Sequence, residues 1–129
     1  MKKVLFVCVE NSCRSQMAEA FAKLHGADIV DSYSSGSKPS GVVNPKGIVS
    51  MAEIGYDMRT HISKGLNDVP QEGYEFAITM GCGDNCPNIQ AANREDWAMP
   101  DPKHMNPKEF AKVRDIIEQE VIALIEKCK

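Results

Sequence analysis

Val4-Leu5-Phe6-Val7-Cys8-Val9-Glu10-Asn11-Ser12-Cys13-Arg14-Ser15-Gln16-Met17-Ala18-Glu19-Ala20 changes its pattern twice. Val4 to Val7 is a continuous apolar run with β-branched and aromatic members, the pattern of a strand buried on both faces of a parallel sheet. It ends at Cys8. From Ser15 the spacing becomes helical: Met17, Phe21 and Leu24 recur at intervals of four and three, with Glu19 and Lys23 assigned to the outer side and Gly26 as the stop. Between strand and helix lies a segment of the form C-x5-R-S. Five cysteines and four arginines in 129 residues give roughly 0.15 such pairs by chance, so the motif draws its weight from its position.

The rest of the chain repeats the alternation. Ile29 to Ser34 predicts a second strand, followed by a loop of turn residues over 35–41. Asn44 is a good helix N-cap and Pro45 suits the first helical position, with Ile48, Met51 and Ala52 as the apolar face before Gly55. Phe76 to Met80 predicts another buried strand, which runs into a second cysteine-bearing loop. Phe110, Val113, Ile117, Val121, Leu124 and Cys128 form one stripe of a long C-terminal helix, and Lys112, Glu118, Glu120 and Glu126 lie off it. The expected fold is therefore α/β: a single domain over 1–129, with a parallel sheet and helices on both faces. Ligands of such sheets bind at the C-terminal ends of the strands, where the loops beginning at Cys8 and Gly81 would meet.

Composition narrows the function. Apolar residues make up 43% of the chain, enough for one real core, and the net charge of −3 with 26% charged residues gives no polyanion-binding surface. Nucleic acid is not an expected partner, and neither is a membrane. The apolar run at the start is too short for an export signal or a span, so a cytoplasmic location and a monomer are expected. Cys8, Cys13, Cys82, Cys86 and Cys128 in such a chain point to redox or nucleophilic chemistry rather than to structural disulfides.

The placement of C-x5-R-S gives those cysteines a chemistry. Backbone N–H groups and the positive end of a helix converge on one small volume that suits a tetrahedral oxyanion. Arg14 can hold two of its oxygens with a planar fork, which lysine cannot reproduce. The same field favours the Cys8 thiolate, and Ser15 can donate a hydrogen bond to the sulfur. In the second loop, Gly81-Cys82-Gly83-Asp84-Asn85-Cys86-Pro87 sets two cysteines three residues apart among turn formers. Such a segment suits thiol–disulfide exchange, in which one sulfur attacks and is then attacked. Half of a zinc site is the other reading, but neither His61 nor His104 comes with a second cysteine pair.

The run from Val4 to Ala20 resembles the opening of the low-molecular-weight tyrosine-phosphatase fold, particularly its arsenate-reductase branch. The resemblance continues through Tyr33-Ser34-Ser35-Gly36, Asn44-Pro45, His61, the Cys82 loop, Trp97 and Asp101-Pro102. It implies that Val9, Glu10, Asn11, Ser12, Cys13 and Arg14 bind the oxyanion, with Asn11 organising the loop. It also implies Cys8 as nucleophile, assisted by Arg14 and Ser15, and Asp101 as general acid, in a partly buried, protonated form. Cys82 and Cys86 would then complete a three-cysteine relay: Cys8 forms the arsenate adduct, Cys82 attacks Cys8, and Cys86 attacks Cys82. Many members place six residues between the relay cysteines, where this chain has three.

The implied substrate is arsenate, with phosphate or sulfate competing. The implied recycling partner is thioredoxin first, and glutaredoxin with a low-molecular-weight thiol second. No cofactor is implied. Some similar reductases hold potassium through an asparagine, a glutamate, a serine and an aspartate; Asn11, Glu19 and Ser34 match, but Lys64 stands at the aspartate position, so no metal is expected. Cys13 and Cys128 stay outside the relay, His25 and His61 are expected to be structural or at the surface, and Trp97 is expected to anchor the Asp101 loop. Two other functions compete: a tyrosine phosphatase using Cys8, Arg14 and Asp101 alone, and a non-enzymatic oxyanion or metal sensor. Lys103, where the phosphatases often carry an aromatic residue, favours the reductase.

Overall fold

The computed structural model describes residues 1–81 and 89–129. Four parallel strands, β1 (Lys2–Cys8), β2 (Val30–Gly36), β3 (Tyr74–Thr79) and β4 (Ala91–Asp96), form one sheet in the order β2-β1-β3-β4. The α-helices among the described residues are α1 (Arg14–Gly26), α2 (Pro45–Ala52) and α3 (Pro107–Lys127). β1 lies in the middle of the sheet, and its apolar run is buried on both faces as the sequence requires. Val4 and Phe6 join one core with Met17, Phe21, Met51, Phe110, Ile117 and Val121 from the three helices. Leu5 and Val7 face the other way and pack with Val69 and Tyr74, beside the 3-10 turn Leu66–Asp68. Burying a side chain such as Phe6 or Phe21 contributes about 1.5–3 kcal/mol, so this double-sided burial fixes β1 and the loop that leaves it.

Most sequence expectations stand. Asn44 caps α2 by accepting the Lys46 N–H at 2.9 Å, Pro45 follows it, and the entire α3 stripe from Phe110 to Cys128 is buried. Four points differ. β4 has no apolar alternation; Ala-Ala-Asn-Arg-Glu-Asp is a mostly exposed edge strand, held by backbone pairing to β3, and polar residues there blunt the open edge. Ser35 and Gly36 belong to β2 rather than to the following loop. Leu24 and Ala52 are exposed, and Glu19, assigned to the outside of α1, is only 4% exposed. Gly26 closes α1 without the left-handed conformation of a glycine stop; a Cβ there would lie 2.8 Å from Ile125 Cδ1, so the glycine permits close approach of α3.

Candidate active site

The loop between β1 and α1 is held by its carbonyl groups. Those of Cys8, Val9 and Glu10 accept the N–H groups of Ser37, Lys38 and Ser40 at 3.3, 2.8 and 3.0 Å, and that of Ser12 accepts Asn44 N–H at 3.0 Å. Pulling these oxygens outward turns the amides inward, and the N–H groups of residues 9–13 have no protein acceptor among the described residues. Such a nest of amides favours an anion. Of these residues Val9, Glu10, Ser12 and Cys13 line a cavity of about 230 Å³, together with Cys8, Arg14 and Asp101.

Asn11 is the exception among the expected binding residues. It is fully buried behind the loop and does not line the cavity. Its φ of +50° is a left-handed conformation that asparagine tolerates better than most residues. Its side chain makes three hydrogen bonds: Oδ1 accepts from Gln16 Nε2 at 2.8 Å and from the Lys64 N–H at 2.7 Å, while Nδ2 donates to Ser15 Oγ at 2.8 Å. Ser15 Oγ therefore has its own proton free to donate to Cys8 Sγ, 2.9 Å away. The organising role expected of Asn11 thus has a concrete path to the sulfur.

Gly36 lies directly beneath this loop. A Cβ at that position would stand 2.6 Å from Val9 O and 2.9 Å from Asn11 N, both backbone atoms. Gly36→Ala is expected to weaken phosphate binding by about ten- to a hundredfold, the equivalent of the roughly 1–3 kcal/mol that overpacking a close contact costs. Calorimetric titration with phosphate, alongside a melting curve to verify folding, checks this; unchanged affinity would mean that the loop absorbs the methyl group.

Arg14 is 7% exposed and is anchored before any anion arrives. Its Nη1 donates to Met80 O at 2.6 Å and to Met99 O at 3.1 Å, which ties the anion loop to the end of β3 and to the Asp101 segment. Nε and Nη2 remain for the fork. Nη2 is 3.9 Å from Asp101 Oδ2. Asp101 itself is exposed rather than partly buried, and its Oδ1 caps the next turn by accepting Lys103 N–H at 3.1 Å. Trp97 anchors the segment as expected, buried with its ring 5.9 Å from that of Phe6.

Cys13 lies in the cavity wall, but burial, with the Asp101 charge adding to it, pushes its thiol pKa up to about 12. It stays protonated at neutral pH. Cys128 is buried at the end of α3. Cys82 and Cys86 fall within 82–88 and lie outside the described residues; Gly81, immediately before them, approaches Arg14, a Cβ there being 3.2 Å from Nη1.

Sequence reasoning missed how far the network reaches. Gln16 Oε1 accepts from His61 Nδ1 at 2.9 Å, and His61 Nε2 then accepts the Tyr56 hydroxyl at 2.7 Å. Burial lowers the His61 pKa despite the Glu19 charge, which keeps this ring neutral and able to play both parts. Below it, burial alone would raise the Glu19 pKa. Hydrogen bonds from Lys23 at 2.7 Å and Ser34 at 2.6 Å, with the Lys64 ammonium 3.6 Å away, outweigh that and lower it. Among the described residues no group of three or more His, Cys, Asp or Glu side chains is arranged to hold a metal ion. Likewise, no described helix is long and apolar enough to cross a membrane.

A parallel sheet that delivers a cysteine into an amide nest closed by an arginine and an aspartate defines an enzyme class that attacks tetrahedral oxyanions with sulfur. The chain belongs to the low molecular weight phosphotyrosine protein phosphatase family, whose model matches residues 3–129. It is 39% identical over 130 residues to the glutaredoxin arsenate reductase of Synechocystis sp., covering 98% of each chain. Two solved arsenate reductases match all of this chain and are covered completely by it. One, in a phosphate-binding state, is 39% identical with a TM-score of 0.92; the other, in an oxidized state, is 38% identical with a TM-score of 0.90.

Proposed function

We propose that the protein reduces arsenate to arsenite, with Cys8, Cys82 and Cys86 as the three thiols of the reaction. The observation that carries this reading is the Cys8 sulfur, hydrogen-bonded to Ser15 at 2.9 Å in the wall of an oxyanion cavity, in a chain that resembles arsenate reductases from end to end. The Cys8 thiolate attacks As(V) and forms an S–As bond, while Asp101 gives a proton to the departing oxygen as water leaves. The amides of Val9, Glu10, Ser12 and Cys13 and the Arg14 fork hold the remaining oxygens and their charge. Cys82 then attacks Cys8 Sγ. The electron pair of the S–As bond passes to arsenic, which leaves as arsenite, and a Cys8–Cys82 disulfide remains. Cys86 attacks Cys82 Sγ, frees the Cys8 thiolate and leaves a Cys82–Cys86 disulfide for an external thiol to reduce.

Glutaredoxin with a low-molecular-weight thiol is the recycling partner that the Synechocystis relative's name favours; thioredoxin is the second reading. An arsenate-dependent NADPH oxidation assay, run once with glutathione, glutathione reductase and glutaredoxin and once with thioredoxin and its reductase, tests function and partner together. Multiple turnover in at least one system is the expected result. Aryl-phosphate hydrolysis with no arsenate-dependent oxidation in either would return the protein to the phosphatase reading.

A further inference from the structure

We propose that Glu10 and Lys103 form a specificity strap across the mouth of the oxyanion cavity, admitting a free tetrahedral oxyanion and holding out its aryl esters. This rests on the cavity being the oxyanion site. Glu10 lines the cavity from the anion loop, and Lys103, which does not itself line the cavity, follows two residues after the lining residue Asp101 and reaches Glu10 from there. Lys103 Nζ lies 3.0 Å from Glu10 Oε2, and the two side chains are 38% and 37% exposed. The backbone that projects the lysine is fixed at both ends: its N–H donates to Asp101 Oδ1, and its carbonyl accepts from Lys46 Nζ at 2.9 Å. The same ammonium of Lys46 also donates to Met105 O at 3.1 Å. The strap therefore starts from an anchored turn.

Two physical arguments give it a role. A carboxylate in an anion-binding loop repels the ligand unless a cation covers it, and Lys103 is placed to do so. The enclosed space, about 230 Å³, also falls below the roughly 300–1,000 Å³ of pockets that enclose a drug-sized ligand. An aryl ester must hold its bridging oxygen toward Asp101 and project its ring through the mouth. There the ring meets a charged pair that has to be parted or stripped of water. A free oxyanion carries no such group.

The test reads binding rather than turnover, so it does not depend on the relay. In a Cys8→Ser background, calorimetry gives the dissociation constants of inorganic phosphate and phenyl phosphate. Adding Lys103→Ala should lower the ratio of the phenyl phosphate constant to the phosphate constant by about fivefold, near the upper limit for a partly exposed ion pair. Lys103→Met, which keeps the stem and removes the charge, should move the ratio in the same direction. The exchanged pair Glu10→Lys with Lys103→Glu should return it toward the parent value. An unchanged ratio in both single variants would overturn the strap, as would an equal loss of affinity for both anions, which would make Lys103 a general attractor. Failure of the parent to bind phosphate would overturn the oxyanion site itself.

Discussion

Cys8→Ser is expected to abolish arsenate reduction and aryl-phosphate hydrolysis together, by on the order of 10⁴-fold or more, because a neutral hydroxyl replaces the nucleophile of both reactions. The substitution changes one atom in a site whose other parts are fixed independently. The loop carbonyls stay bonded to Ser37, Lys38, Ser40 and Asn44, and Arg14 stays bonded to Met80 and Met99. Phosphate should therefore still bind to the variant. Arsenite release, p-nitrophenyl phosphate hydrolysis and phosphate titration, measured on one preparation, separate lost chemistry from lost structure. Substantial arsenite release by a variant that binds phosphate normally would remove Cys8 from the mechanism.

Cys82→Ser and Cys86→Ser are each expected to eliminate coupled turnover while leaving any slow aryl-phosphate hydrolysis largely intact. Hydrolysis needs only the oxyanion cavity and water. The two variants should stop at different places. Cys82→Ser should release no arsenite by the relay, whereas Cys86→Ser should release one equivalent and accumulate a Cys8–Cys82 disulfide. The unmodified protein given arsenate without reductant should instead end with Cys82–Cys86 oxidised. Peptide mapping after acid quench, which protonates the thiolates and stops exchange, distinguishes these bonds. Full multiple turnover in both variants would leave the phosphatase reading ahead.

The parts of this molecule that could be read from sequence are those in which one residue type has one physical use. A four-residue apolar run predicts a strand buried on both faces, and β1 is that strand; a stripe at intervals of three and four predicts the buried side of α3. The anion loop was legible because strand, glycine-poor turn and helix stand next to one another in the chain. Other features depend on partners that local pattern does not show. β4 is polar because it lies at an edge, and its strand form comes from pairing with β3 rather than from its own side chains. Glu19 resembles any exposed helical glutamate until Ser34 and Lys64, distant in sequence, are seen to surround it. His61 reaches the cysteine through Gln16, Asn11 and Ser15, across a separation of 45 residues at its first step. The relay cysteines remain a reading of sequence and kinship, and the trapping experiment addresses them directly.

The outward anchoring of the anion loop by its carbonyls also limits what the enzyme can recognise. A cradle built before its guest arrives reads charge and tetrahedral shape, and phosphate offers both as well as arsenate does. Such preorganisation favours attack in general, but it provides no way to tell a plentiful anion from a rare toxic one at the point of entry. In the proposed relay discrimination comes later, when a thiol pulls on the Cys8 adduct: arsenic accepts the electron pair and leaves, whereas phosphorus does not. On that mechanism selectivity comes from irreversibility rather than affinity, and ambient phosphate sets how often the site is open to the anion it can transform.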